Sequence, residues 1–244
     1  MVEESEDDYV ARMDALREQI ANHPGRLAHQ RWNSVRMVHS ALKMNENFLV
    51  HLVDFDSPEG QERAFAMMGQ EPEQRANLEQ FWLALFLFLA NYTSMNSTLV
   101  EHVRGLMANY RGTPFAQEEE RRRRALGFAP VTQFVKDLRN TITHVTTPPM
   151  SFEMNLTANE AAYAAKMSST ALLNTGRFSS ASKSYLAARQ EVVIAETIAE
   201  YAKLREQYYQ WLFSQFLELH GRDLQDHDRL VRQQHAFHGR FNGS

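Results

Sequence analysis

The chain has 244 residues, no cysteine and a formal net charge of −4 at pH 7. The absence of cysteine excludes disulfides, thiolate nucleophiles, iron–sulfur clusters and cysteine zinc sites, and it favours a reducing, cytoplasmic compartment. Charged residues make up 23% and hydrophobic residues 43%, which are the proportions of a folded protein and exclude a disordered or collagen-like chain. Because the net charge is acidic, any nucleic-acid binding has to depend on a local basic patch.

The 10 glycines and 7 prolines, about 7% of the chain, fall in clusters, whereas these two types make up ~12% of an average globular protein. Between the clusters, apolar residues recur at three- and four-residue spacing, the pattern of amphipathic α-helices. The predicted helical segments are 6–22, 27–55, 73–110, 116–126, 131–145, 190–220 and 222–238. We therefore predict a mainly α fold in which residues 1–244 form a single helical domain with a C-terminal helical tail at 222–244.

Two features bear on export and on membranes. Five of the residues at positions 3–8 are acidic, the reverse of the basic and apolar opening of a secretion signal. The most apolar run, FWLALFLFLA at 81–90, has ten residues, whereas a membrane-spanning helix needs about 20. We expect this run to be a buried core helix, and we expect a cytoplasmic protein that does not bind a membrane.

The highly charged segment 118–124, EEERRRR, contains three glutamates that each precede an arginine by four residues. Such pairs attract each other on the surface of a helix. The pattern therefore predicts a solvated, ion-paired helix face, and the alternative is a basic run that binds RNA.

One segment departs from the helical period. Apolar and polar side chains alternate over residues 150–157, and the turn-prone sequence Ala158-Asn159-Glu160 follows. This pattern predicts a small β-hairpin at about 150–168, with residues 161–168 as the partner strand. The alanines of that partner strand are poor strand formers, so its formation has to depend on tertiary contacts.

The most informative stretch for function is FVKDLRNTITHV at 134–145. Its apolar residues step by four, three, four and three positions, which places them in one stripe that faces a core or a partner helix. The stripe consists of Val131, Val135, Leu138, Ile142 and Val145. At about 100° per residue, Arg139, Asn140 and His144 then share the side of the helix that faces away from this stripe.

These residue types suit RNA phosphodiester chemistry. An arginine can bind phosphate oxygens bidentately, and an imidazole that titrates near neutral pH can accept or donate a proton. We therefore take Arg139, Asn140 and His144 as candidate catalytic residues, with the amide orienting either neighbour. The candidate substrate-binding residues are Lys136, Thr143 and Arg104. The alternatives are a surface arginine and a histidine that caps the helix C-terminus, and an ordinary ion pair at Arg104.

Arg139, Asn140, three further residues and His144 resemble the RNxxxH signature of HEPN domains, named for higher eukaryotes and prokaryotes nucleotide-binding. The looser pattern of an arginine followed by a histidine recurs in the chain, but only Arg139 is followed by asparagine. The resemblance covers about residues 27–218. Within it, residues 91–104 resemble the helix that packs before the motif helix, and the hairpin resembles that of a prokaryotic subgroup with a β insertion.

This resemblance implies a fold, an activity and partners. Many HEPN proteins are metal-independent ribonucleases of toxin–antitoxin, abortive-infection and other phage-defence systems, and two protomers pair so that their motifs face each other. It implies a helical bundle that forms a homodimer and an endoribonuclease that leaves a 2′,3′-cyclic phosphate, with no metal or other cofactor. His144 would be the general acid or base, Arg139 would bind and stabilise the phosphate, and Asn140 would have a positioning role. RNA would be the substrate, and an antitoxin or other regulatory protein a further partner.

One position departs from part of the family. Members that are neutralised by a nucleotidyltransferase partner carry an AMP-accepting tyrosine two residues beyond the histidine, and this chain has Thr146 there. Control by that route is therefore not expected. The alternative function is a catalytically silent HEPN-like module that binds a nucleotide or a protein in the same cleft, and a helical scaffold without any site is a third.

Metal and ATP sites of common types are not expected. The chain has no HExxH or ExxH motif and no glycine-rich phosphate loop. Its last 25 residues are rich in histidine and arginine, and we expect an exposed, fraying helix there, with a metal- or nucleic-acid-binding arm as the alternative. The residues in question are His220, Arg222, His227, Arg229, Arg232, His235, His238 and Arg240.

Overall fold

A computed structural model describes residues 6–156, 161–174 and 177–241. Within this part of the chain there are nine α-helices, one 3₁₀ helix and one three-stranded antiparallel sheet, so the fold is mainly α with a small hairpin, as predicted. The helices are α1 (Glu6–Asn22), α2 (Pro24–Val53), α3 (Pro58–Ala66), α4 (Pro72–Met107), α5 (Pro114–Phe128), α6 (Pro130–His144), α7 (Ser169–Asn174), α8 (Ser180–Ala187) and α9 (Ile194–Phe241). The 3₁₀ helix is Ala108–Tyr110, and the strands are β1 (Met150–Leu156), β2 (Ala161–Ser168) and β3 (Glu191–Val193).

The chain divides into two compact units. The first contains the described residues up to Arg36 and those from Gln210 onward, and the second is Met37–Tyr209. The second unit contains α3 to α8, the sheet and the candidate site residues of the sequence.

The first unit is helical. Trp32 of α2 stacks on Phe213 and Phe216 of α9, with ring centroids 5.2 and 5.0 Å apart. Gly25 lies so close to α9 that a Cβ on it would come within 2.1 Å of the backbone oxygen of Asp223. A residue without a side chain is therefore required where α2 begins.

The C-terminal tail is the end of α9, and it does not form a separate helix. The sequence predicted a break at Gly221, yet α9 continues through this residue. A glycine inside a helix costs only about 1 kcal/mol, which packing on either side can offset. Leu230 is buried, and Phe237 stacks on Tyr9 of α1 with a centroid distance of 5.1 Å. The expected exposure is present for most polar residues of the described tail, while Leu230 is buried and Phe237 packs on α1.

In the second unit, the predicted hairpin is present with the predicted strands. The β1–β2 register runs from Met150 opposite Met167 to Leu156 opposite Ala161. The predicted turn at 158–160 lies outside the described residues. Phe152 of β1 packs on Phe55 and supplies an apolar contact that the alanines of β2 cannot.

The third strand and the two short helices α7 and α8 were not predicted from the sequence. Strand β3 lies inside the segment 190–220, for which the periodicity predicted helix. Val192 is fully buried and pairs with Met167 of β2. Three residues are too few to show an alternating pattern, so this strand depends on its neighbour.

Helix α4 is less buried than predicted. Phe81, Leu85 and Leu89 are buried, but Leu83 and Leu87 are 60% and 51% exposed. The apolar run is therefore buried on one side only. By length and composition, the stretch 72–110 is the one candidate membrane span in the described residues, and 33% of its most apolar window is buried.

Candidate functional site

Helix α6 carries the candidate motif. Pro130 occupies its first turn, and the helix ends at His144, shortly before two prolines. Its fully buried residues are Val131, Phe134, Val135, Asp137, Leu138 and Thr141. The buried side is therefore turned relative to the predicted stripe, since Ile142 is half-buried and Val145 is 38% exposed. The buried side includes Phe134, whose ring stacks on Tyr185 with a centroid distance of 5.0 Å, and this contact explains why the buried side is rotated from the predicted stripe.

The buried side of α6 holds a carboxylate that the sequence analysis missed. Asp137 is 8% exposed, and its Oδ2 accepts hydrogen bonds from the Ser179 backbone N–H at 2.8 Å and the Ser182 hydroxyl at 2.7 Å. These donors lie at the N-terminus of α8, where backbone N–H groups lack helical partners and favour a negative charge. Asp137 therefore anchors α8 on α6.

A pocket of about 590 Å³ lies on another side of α6, lined also by α4, α5 and Tyr201 of α9. This is the size range of small-ligand sites. Four cationic side chains line it, together with one carboxylate, Glu101: the cations are Arg104, Arg123, Lys136 and Arg139. Cations therefore outnumber carboxylates in the pocket lining, which makes it a local basic patch.

The pocket also has polar groups that lack partners. The Asn96 Oδ1, the Thr132 hydroxyl and the Arg139 Nε are each buried and make no hydrogen bond. The Asn96 amide is oriented by its Nδ2, which donates to the backbone oxygen of Tyr92 at 2.8 Å, so its Oδ1 has to point the other way. Buried polar groups in folded proteins almost always have partners. Three side chains of the pocket lining therefore each hold a buried polar atom without a partner in the protein.

Arg139 and Asn140, predicted as catalytic, both line this pocket and are half-buried. The Arg139 Nη1 donates to the Asn140 Oδ1 at 3.5 Å, the outer limit of a hydrogen bond. The amide oxygen of Asn140 therefore lies beside the guanidinium of Arg139.

Two of the three predicted substrate-binding residues also line the pocket. Lys136 is exposed at its edge. Arg104 pairs with Glu101 at 2.5 Å, and both side chains are largely exposed. Arg104 therefore forms the ion pair that was the alternative expected from the sequence, and it also lines the pocket. Exposed pairs of this kind contribute little to stability, so the pairing is weak enough to yield to a phosphate.

The structure does not bring His144 and Thr143 into the pocket wall. His144 is exposed at the end of α6, about 6 Å along the helix axis from Asn140. Thr143 is also exposed, and its hydroxyl donates to the Arg139 backbone oxygen at 2.8 Å. The predicted polar side of α6 therefore divides into a pocket part and an exposed end.

The charged segment of α5 contains a pocket residue that the sequence analysis missed. Most of its ion pairs are exposed, as predicted, and they join Glu118 to Arg121 and Arg122, and Glu120 to Arg124. The interpretation as a solvated face is wrong for Glu119 and Arg123, which turn inward.

A helical signal could have found this inward pair. Phe115, Glu119 and Arg123 follow one another at four-residue spacing, so they share one side of α5 with a buried aromatic ring. The sequence interpretation treated all charges of residues 118–124 as one solvated face and therefore overlooked this spacing.

A buried ion pair lies one turn along α9 from the pocket residue Tyr201. Arg205 and Glu46 are 3% and 7% exposed at the side chain, and the Arg205 Nη2 is 2.6 Å from the Glu46 Oε2. Burial raises the pKa of Tyr201 to about 12, against the influence of Arg205. The pocket lining therefore includes a neutral phenol.

No group of three or more His, Asp or Glu side chains in the described part of the chain is placed to hold a metal ion. The histidines of the tail lie in the first unit. Burial lowers the pKa of His220 and His227, which favours their neutral forms.

In comparisons with known proteins, no family model, curated protein or solved structure matches the chain.

Proposed function

We propose that the chain is a metal-independent endoribonuclease that binds RNA phosphates in the α6 pocket and cleaves the backbone by attack of the ribose 2′-hydroxyl. The observation that carries this proposal is the cationic pocket that contains both Arg139 and Asn140 of the RNxxxH motif. The guanidinium of Arg139, which lines the pocket, is a group that can bind phosphate oxygens.

The proposed reaction needs no group beyond side chains and substrate. The 2′-oxygen attacks the adjacent phosphorus, and the bond from phosphorus to the 5′-oxygen breaks. The proton lost by the 2′-hydroxyl is balanced by the proton gained by the 5′-oxygen, and His144 accepts or donates one of them. Arg139 stabilises the charge on the phosphate oxygens. The products are a 2′,3′-cyclic phosphate and a 5′-hydroxyl.

The position of His144 favours a composite site. In one protomer His144 is exposed and outside the pocket wall, whereas the phosphate-binding residues are inside it. We propose that a homodimer brings the His144 of one protomer to RNA bound at the motif of the other, the arrangement that the HEPN resemblance implies. A monomer that cleaves RNA at full rate would contradict this part of the proposal.

The test is incubation of labelled total RNA with wild type and His144→Ala in EDTA, followed by chemical analysis of the new 3′ ends. We expect cleavage by wild type only, with cyclic phosphate at those ends. Matched circular dichroism spectra of the two proteins provide the control for folding. Cleavage that stops in EDTA, or that continues in the variant, would contradict the proposed mechanism.

A catalytically silent nucleotide-binding module is the second candidate. The specific observation that favours it is that His144 lies outside the pocket wall, because the phosphate-binding groups alone suffice for binding. Such a module would show thermal stabilisation by nucleotides while labelled RNA stays intact.

We further propose a cellular role as a toxin or phage-defence effector in the cytoplasm, regulated by an antitoxin or other protein. This role follows only from the HEPN resemblance of residues 139–144. Its test is induced expression in a bacterial host, in which wild type is expected to stop growth and His144→Ala is not. Equal growth inhibition by both proteins would contradict the role.

A further inference from the structure

Arg123 of α5 is the best-supported of the pocket's cations. Its Nε donates to the Glu119 Oε1 at 3.1 Å, while its side chain stays 34% exposed and lines the pocket. Because the carboxylate is bound through Nε, the terminal amino groups of the guanidinium are left for a ligand. A guanidinium can make both sets of bonds at once because its donors lie in a fixed planar fork.

The carboxylate that holds Arg123 is itself fixed. Glu119 is 3% exposed, and its Oε1 also accepts the hydroxyl proton of Tyr208 of α9 at 2.6 Å. Burial, followed by this hydrogen bond to a carboxylate, raises the pKa of Tyr208, so its hydroxyl stays protonated and available as a donor. A buried carboxylate with two donors has a single preferred orientation.

The neighbouring pairs of α5 provide an internal comparison. Arg124 pairs with Glu120, but these side chains are 67% and 49% exposed, and neither lines the pocket. A surface ion pair contributes little to stability. Burial of a carboxylate costs free energy that such a pair is too weak to offset. The burial of Glu119 is therefore not explained by a stabilising ion pair of the kind that Glu120 and Arg124 form, and it indicates a different role for the Glu119–Arg123 pair.

We infer that Arg123, held in place by Glu119 and Tyr208, is a second phosphate-binding residue of the site, so that the ligand is a polynucleotide bound through at least two of its phosphates. This inference rests on the proposed function, since it names the substrate contacts of the same pocket. Arg139 on α6 and Arg123 on α5 reach the pocket from different helices, so each can bind a different phosphate of one strand. Glu119 and Tyr208 act through Arg123 and are positioning residues.

The experiment measures binding without cleavage. The probe is a short fluorescein-labelled oligonucleotide in which every ribose carries a 2′-O-methyl group, so that no 2′-hydroxyl can react. Fluorescence anisotropy gives its Kd for wild-type protein at several salt concentrations between about 50 and 200 mM. The slope of log K against log salt reports the number of phosphates bound.

Arg123→Ala is expected to weaken binding about tenfold or more and to reduce the salt slope by about 1. Its matched control is Arg124→Ala, which removes the same charge one residue further along α5. That control is expected to change the Kd by less than about twofold. Equal effects of the two variants would overturn the inference, because they would show that any positive charge on α5 attracts the oligonucleotide and that Arg123 makes no specific phosphate contact.

Glu119→Gln separates positioning from charge by the sign of its effect. It removes a negative charge beside a cationic pocket, so simple electrostatics predicts tighter binding of the oligonucleotide. Loss of positioning predicts weaker binding, and we expect the weaker binding. Glu120→Gln is the matched control and is expected to leave the Kd unchanged or slightly improved. Tighter binding by Glu119→Gln would overturn the positioning role.

Arg123→Lys keeps the test valid if Glu119→Gln fails to fold. Lysine preserves the charge but not the planar fork, so it cannot bind Glu119 and a phosphate together as arginine does. We expect weakened binding with an unchanged thermal unfolding midpoint, and wild-type affinity would overturn the inference. If wild type itself does not bind the probe at the lowest salt, the inference is overturned, and RNA cleavage by the same preparation decides separately on the proposed function.

Discussion

Two charged side chains of α6, only two residues apart, differ in how their polar atoms are partnered. Asp137 is buried, and one of its oxygens accepts two hydrogen bonds from the start of α8. Arg139 is half-buried in a pocket wall, and its Nε makes no hydrogen bond. Since a buried polar group without a partner costs free energy, the first arrangement is complete and the second is not.

From this difference we expect a structural role for Asp137 and a functional role for Arg139. The Asp137 side of α6 fixes a neighbouring helix, and the Arg139 side presents donors to a pocket. Residue type alone does not distinguish the two roles, because both residues have ionisable side chains and both are at least half-buried. The partners distinguish them. The comparison predicts that changes on the first side lower stability and that changes on the second side lower activity.

The largest effect is expected at the exposed end of α6. His144→Ala removes the proposed acid or base, and such groups contribute about 10²–10⁴-fold to rate. We expect kcat for RNA cleavage to fall by that factor, while the Kd for 2′-O-methyl RNA stays within about twofold of wild type. Rate measurements under single-turnover conditions test this. An equal loss of binding would place His144 among the phosphate-binding residues.

Arg139→Ala is expected to lower kcat by about 10²–10³-fold, because a preorganised charge at the reacting phosphate is lost. Unlike His144→Ala, it is also expected to weaken binding of the 2′-O-methyl RNA. Its thermal unfolding midpoint is expected to stay near that of wild type or to rise, since an orphaned buried donor is removed. A strongly lowered midpoint would assign Arg139 a structural role and would break the comparison.

Asp137→Ala is expected to act on stability. It removes the acceptor of the Ser179 backbone N–H and of the Ser182 hydroxyl and leaves that N–H unpaired, which we expect to lower the free energy of unfolding by about 2–4 kcal/mol. Urea denaturation measures this loss. Asp137→Asn keeps the shape and an acceptor oxygen, and we expect a smaller loss from it. Unchanged stability in both variants is the result that would contradict the anchoring role of Asp137.

The smallest effect is expected at Thr143, which the sequence proposed as a substrate-binding residue. Its side chain is exposed and its hydroxyl donates to the Arg139 backbone oxygen. Thr143→Ala is expected to change the free energy of unfolding by less than about 0.5 kcal/mol and the cleavage rate by less than about twofold. A large loss of rate would show that RNA contacts extend to the end of α6.

Local patterns in the sequence predicted the long helices and the hairpin. Helix α1 begins and ends where its periodicity predicted, and the alternation over residues 150–157 predicted β1. Helix α8 and β3 could not be predicted in this way, because each depends on a partner distant in sequence: Asp137 for the one and Met167 for the other.

The candidate site was predicted in part for the same reason. Arg139 and Asn140 could be found because a motif marks them within a single helix. The four-residue spacing from Phe115 could have placed Arg123 on the inward side of α5, but not its role, which depends on the burial of Glu119 against another helix and on a pocket that several helices enclose. The separation of His144 from the pocket wall likewise depends on where α4 and α5 lie beside α6, which no single-helix projection contains.

The measurement that most directly tests the central claim is crosslinking of wild-type protein to RNA that carries 4-thiouridine, followed by mass spectrometry of the crosslinked peptides. The claim is that the pocket side of α6 is the RNA site. It predicts adducts in the peptides that line the pocket, within 93–104, 123–127 and 132–140. Adducts confined to the histidine- and arginine-rich end of α9, at 222–241, would contradict the claim and move the RNA site to the first unit.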